Sequence, residues 1–155
     1  APDEKLFVQA LRIKNDFSIK HNIENIDDSS LVKILLLHDS LEDDKPRENA
    51  EKFGKTVKEL FLEYNISDVV IDAIKDMTRE DGERYSDFIS RIHEKNNPYS
   101  IIGKISDIMS NNHPERAIDK VKTSLVKRYN KALKLLGGSE YIVGNNMSKE
   151  KTLAI

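Results

Sequence analysis

Six of the seven residues from Leu31 to Leu37 are apolar, and the run leads straight into His38-Asp39-Ser40-Leu41-Glu42-Asp43-Asp44. No other stretch limits the fold as much. An apolar segment of this kind belongs in a core, and on a helix it carries its polar end toward the same interior. A buried carboxylate is costly unless it is paired or bound to a metal. A His-Asp pair ending a buried helix is therefore best explained by a cation. Glu42 and Asp43 follow at i+4 from His38 and Asp39, which places four ionisable groups on one patch at the helix end. Acids at a helix C-terminus oppose the macrodipole, so a purely structural sequence would avoid them there.

Length and charge narrow the classes. The 155 residues suffice for one domain with a real core, and 38% hydrophobic with 34% charged residues indicates a globular chain rather than a disordered one. No stretch approaches the roughly 20 apolar residues of a membrane span, and Ala1-Pro2-Asp3-Glu4-Lys5 is no signal peptide. The chain has no Cys, which excludes disulfides and thiolate chemistry and agrees with a cytoplasmic location. With 25 basic against 27 acidic residues there is no support for a nucleic-acid binder.

Apolar residues recur at three- and four-residue spacing almost throughout, so the chain reads as all-α. A first helix carries Leu6, Phe7, Ala10, Leu11 and Ile13. Asp27 to Ser30 caps a second helix, expected from about Ser30 to Leu41. Pro46 opens a short segment ending near Gly54, and Thr56 to Tyr64 forms another. Ser67 caps a helix with Val69, Val70, Ile71 and Ile74. Asp81-Gly82 marks a turn before an amphipathic helix from Glu83 to Lys95. Pro98 and Pro114 each open a helix at its first turn, and Gly137-Gly138 stops the second of them. Residues 1–138 are expected to form the helical domain. Residues 139–155 are expected to be a mobile tail that docks through Tyr141, Ile142 and Val143.

A second constellation lies in the Pro98 helix. Asp107 sits between Ile105 and Ile108, three residues from Lys104 and four from Asn111, so the three polar groups share a face. Taken alone, this is a local Lys104–Asp107 pair facing solvent. Beside the His38-Asp39 helix, Asp107 becomes a candidate third ligand. The mixed nitrogen and oxygen donors favour a transition ion over Mg²⁺.

These blocks carry a resemblance. Leu35 to Asp43 resembles the LLHDxxED element of HD-domain metal-dependent phosphohydrolases, in particular the small hydrolases related to the RelA/SpoT alarmone enzymes. Lys104 to Asn111 resembles their KLADxxxN element. Thr78-Arg79-Glu80-Asp81-Gly82-Glu83-Arg84-Tyr85-Ser86-Asp87-Phe88-Ile89 resembles a T-R-x-x-G-E-x-Y-x-D-[YF]-I stretch, and Arg128 to Leu133 their closing helix. The resemblance implies a single HD-domain helical bundle. It implies a divalent metal, Mn²⁺ first, on His38, Asp39 and Asp107. Glu42 and Asp43 would orient or deprotonate the attacking water, and Lys104 and Asn111 would contact the substrate. Tyr85 reads as core packing, and Asp87 has no assigned role. The implied substrate is a nucleotide, with guanosine tetra- or pentaphosphate leading and the 3′-pyrophosphate as the group removed.

The chain departs from the family at its first ligand. Gln9 stands where the first helix of the family carries a His, and Ala10 replaces the following Pro. The helix and basic loop that precede this segment in the family have no counterpart before Leu6. An amide oxygen is a weaker ligand for transition ions than imidazole. His21 is a substitute donor in a polar stretch, while His93 and His113 read as surface residues. The alternative to a hydrolase is thus a degenerate domain that binds a nucleotide or a protein without turnover.

Overall fold

The computed structural model describes residues 4–38, 56–112 and 123–142. Within them the protein is all-α: seven α-helices, one 3₁₀ turn and no strand. The helices are α1 (Glu4–His21), α2 (Asp28–Leu37), α3 (Val57–Glu63), α4 (Asp68–Asp76), α5 (Tyr85–Lys95), α6 (Pro98–Asn112) and α7 (Thr123–Leu135), with the 3₁₀ turn at Ser139–Tyr141. Among the described residues no helix is long and apolar enough to cross a membrane.

Capping chemistry sets most of the boundaries. Asp27 accepts from the Ser30 N–H at 2.9 Å and from the Ser30 hydroxyl at 2.8 Å, so α2 begins at Asp28, ahead of the expected Ser30. The helix closes at Leu37 with His38 as its cap, and the expected continuation toward Leu41 falls outside the described residues. Ser67 caps α4, and Thr56 accepts from the Glu59 N–H at 3.1 Å at the start of α3. Asn97 accepts from the Tyr99 N–H at 3.0 Å around Pro98, which occupies the first position of α6 as its fixed φ favours. At the end of α7, Gly137 takes φ +84°; its N–H donates to Lys134 and that of Gly138 donates to Leu133 at 2.7 Å. These two bonds form a Schellman closure. The Pro46–Gly54 segment, the Pro114 helix start, His113 and the tail from Val143 lie outside the described residues.

Helix α6 is the axis of the fold, packing against α1, α2, α4, α5 and α7. Its stripe of Ile101, Ile102, Ile105, Ile108 and Met109 is buried, and so are Ser100 and Ser106 on its other faces. The Ser106 hydroxyl is satisfied by donating back to the Ile102 carbonyl at 2.8 Å. Gly103 lets α4 and α2 approach closely, since a Cβ there would lie 2.8 Å from Met77 Sδ and 3.5 Å from Ile34 Cγ2. One apolar cluster joins α1, α2, α5, α6 and α7, and a smaller one joins Ile34 with Val70, Ala73, Ile74 and Met77. Val69 of α4 and Leu36 of α2 are exposed. The tail docks as expected at Tyr141, which is buried and donates its hydroxyl to Asp16 at 2.9 Å.

Candidate functional site

Because α2 and α6 pack together, the end of α2 delivers His38 to the face of α6 that carries Lys104, Asp107 and Asn111. His38 Nε2 lies 3.3 Å from Asp107 Oδ1, and Lys104 Nζ lies 3.0 Å from Asp107 Oδ2. The expected Lys104–Asp107 pair therefore forms, but it faces a cavity of about 330 Å³, where its side chains are only 14% and 20% exposed. Burial pushes the Asp107 carboxyl up, yet the His38 hydrogen bond and the Lys104 and His38 charges outweigh it and hold the group at about 2. Asp107 is a fixed anion.

The other His38 nitrogen decides what Nε2 can do. Nδ1 lies 2.8 Å from the Leu35 carbonyl oxygen, which can only accept, so Nδ1 carries a proton. With Nδ1 so occupied, a proton on Nε2 makes the ring a charged donor to Asp107, and a ring without that proton turns a lone pair toward the carboxylate. Two acceptors at this distance require a proton or a cation between them. A backbone carbonyl that fixes the tautomer in this way is the usual outer support of a metal-binding imidazole. His38 and Asp107 thus suit a divalent ion in donor type and orientation. Among the described residues no three His, Asp, Glu or Cys side chains converge on one point. Asp39, Glu42 and Asp43, expected beside His38, lie outside the described residues.

Residues with no assigned role, or read as packing, complete the cavity. The Tyr85 ring lies 5.4 Å from the Arg128 guanidinium, 5.8 Å from Lys104 Nζ and 5.9 Å from the Arg79 guanidinium. Lys104 also sits 5.1 Å from the Phe88 ring. Tyr85 does pack against the core, as expected, but its hydroxyl is buried in the site with no hydrogen-bond partner among the described residues. Burial raises the Tyr85 and Tyr129 phenols, and the Asp107 charge adds to this, so both stay protonated donors at neutral pH. Arg79, Arg128 and Tyr129 all fall within the sequence blocks quoted above. Helical periodicity cannot reveal that a loop and two helices converge on one ring.

Arg79 is placed by a rigid loop. Arg91 donates to the Asp76 and Thr78 carbonyls at 3.2 and 2.9 Å and forks onto both Glu83 carboxylate oxygens at 3.0 and 2.9 Å. Gly82, at φ +76°, makes the turn that brings Glu83 back. Arg79 Nε closes the loop by donating to the Glu83 carbonyl at 2.7 Å.

The remaining candidates lie elsewhere. Gln9 is partly buried on α1 and does not line the cavity. His21 stacks on Phe17 at 4.3 Å beside Gly137. His21 is not among the residues that line the cavity. Asp87 and His93 are exposed. Comparison with protein-family models, curated proteins and solved structures returns no match.

Proposed function

We propose that this protein is a metal-dependent phosphohydrolase of the HD type, acting on a nucleotide, with the 3′-pyrophosphate of guanosine tetra- or pentaphosphate as the leading substrate group. One observation carries the reading: a cavity with a tautomer-fixed His38 facing Asp107 is also ringed by Arg79, Lys104 and Arg128. Among the described lining residues three cations surround one ring and Asp107 is the one carboxylate, so the described wall carries more positive than negative charge. That excess matches a phosphoryl group. The donor pair beside it matches the metal that such chemistry uses.

In this reading His38 and Asp107 would hold the ion, together with Asp39. Bound there, a divalent metal supplies Lewis acidity and lowers the pKa of a water. The rest is done by the chain. Lys104 and Arg128 bind the phosphate and offset the charge that develops on it. The Leu35 carbonyl holds a proton on Nδ1 and turns the ring so that Nε2 is the nitrogen presented to the ion. Tyr85, Phe88 and Tyr129 wall the cavity and limit water. Glu42 and Asp43 would orient the attacking water.

The test is Mn²⁺-dependent release of pyrophosphate from guanosine tetraphosphate, lost in His38→Ala. No release across a panel of nucleoside mono-, di-, tri- and tetraphosphates overturns the hydrolase. Gln9 favours a second reading, a domain that binds nucleotide without turnover. Thermal stabilisation by nucleotide in the absence of release would select it.

A further inference from the structure

The cavity does not end at Tyr85 and Arg128. Both residues also form the wall of a larger groove of about 690 Å³ between α5 and α7. Arg84, Lys127, Arg128 and Lys131 line it, and among the described residues no acidic one does. In a chain whose acids outnumber its bases, four cations without an acid are a local concentration rather than an average surface. The Ser86 and Ser90 hydroxyls add donors. The first turn of the 11-residue α5 opens here, and its N-cap Arg84 makes no side-chain cap. The positive end of the helix therefore adds to the side-chain charge. The floor is apolar, formed by Ile89, Ala132 and the Tyr85 ring. A groove with such a floor and a cationic rim suits a molecule with a flat apolar body and an anionic end.

The size of the two spaces divides the work. About 330 Å³ is near the lower limit of small-molecule pockets, whereas about 690 Å³ is mid-range. We propose that the α5–α7 groove holds the body and the far anionic end of a nucleotide charged at both ends, while the His38–Asp107 cavity takes the near end. This inference rests on the phosphohydrolase reading for the near end only. Arg128 and Tyr85 are the shared wall across which the ligand passes. Lys127 and Lys131 are exposed, one helical turn apart, and set the affinity for the far end.

The experiment is calorimetric titration of the whole chain, in chelator to prevent turnover, with guanosine 3′,5′-bisdiphosphate and with guanosine 3′-diphosphate, which lacks the far end. The doubly charged nucleotide is expected to bind at least tenfold tighter. The Lys127→Ser/Lys131→Ser variant should lose that advantage and bind both alike. Lys134→Ser removes a charge from the same helix outside the groove and should change neither affinity by more than about twofold. Equal binding of the two nucleotides by the unaltered protein, or no binding, overturns the proposal. So does a Lys134→Ser effect as large as that of the double variant, which would mark simple charge attraction. Turnover with Mn²⁺ is read separately. If the affinity pattern holds without turnover, the groove stands and the hydrolase falls. If turnover proceeds and the double variant changes neither KM nor affinity, the reverse is true.

Discussion

Two acid clusters flank α6, and they are built from nearly the same parts. At one, Asp76 receives Lys95 Nζ at 2.8 Å and the Ser100 hydroxyl at 3.0 Å. At the other, Asp107 receives Lys104 Nζ at 3.0 Å and faces His38 Nε2 at 3.3 Å. The first cluster closes on itself: each Asp76 oxygen has a donor, the side chain is 7% exposed, and Arg91 ties the adjoining loop to Glu83. The second stays open toward a cavity whose described lining holds more positive than negative charge. The difference separates stability from function. A closed cluster should cost folding energy when broken, and an open one should cost binding.

The largest effect is expected at Arg91. Arg91→Ala strands the Glu83 carboxylate and the Asp76 and Thr78 carbonyls, for a loss of about 3 kcal/mol in urea-unfolding stability. It should also impair the site indirectly, because Arg79 rides on the same loop. A loss under about 1 kcal/mol would mean that the loop holds its shape without Arg91.

Matched substitutions of the two acids come next. Asp76→Asn should cost about 2 kcal/mol of unfolding free energy and leave nucleotide turnover within about threefold. Asp107→Asn should lower turnover by about 100-fold or more, because the amide cannot serve as a charged ligand, and should also cost stability, since the folded state holds the carboxyl at about 2. If both variants lose stability alike and activity alike, the distinction between the clusters collapses.

The helices, their caps and the stripe of α6 were legible in the sequence because each rests on residues within one or two turns of each other. Asp27, Ser67, Pro98 and Gly137 act locally, and so does the Lys104–Asp107–Asn111 face. His38 reaching Asp107 was inferred from chemistry, as two polar groups each lacking a reason to be buried. The meeting of Arg79, Lys104 and Arg128 on Tyr85 was not legible. It depends on a loop held by Arg91 from the next helix and on how α7 lies across α5. Such contacts join residues far apart in sequence and leave no period in it. The groove has the same origin, since nothing within one helix shows that Lys127 and Lys131 share a groove with Arg84.

Acid titration separates the clusters in another way. The Arg91 hydrogen bond, against the opposing effect of burial, holds the Glu83 carboxyl below its usual range. A group with a lowered folded pKa adds stability above its unfolded value, near ~4.3 for Glu, and loses it as pH falls below that. The stability gap between the protein and Glu83→Gln should therefore be constant from pH 7 to about 5 and shrink below. Urea midpoints across that range measure it. A gap that stays constant to pH 3 would show that Glu83 acts by shape and not by charge.

The smallest effects come from one hydroxyl in each region, and their signs differ. Ser100→Ala removes a buried donor and leaves an Asp76 oxygen unsatisfied, which should cost about 1–2 kcal/mol. Tyr85→Phe removes a buried hydroxyl that has no partner among the described residues, so folding should be unchanged or gain up to about 1 kcal/mol. A Tyr85→Phe variant that loses stability would place the hydroxyl in a structural hydrogen bond, and the open cluster would then be closed after all.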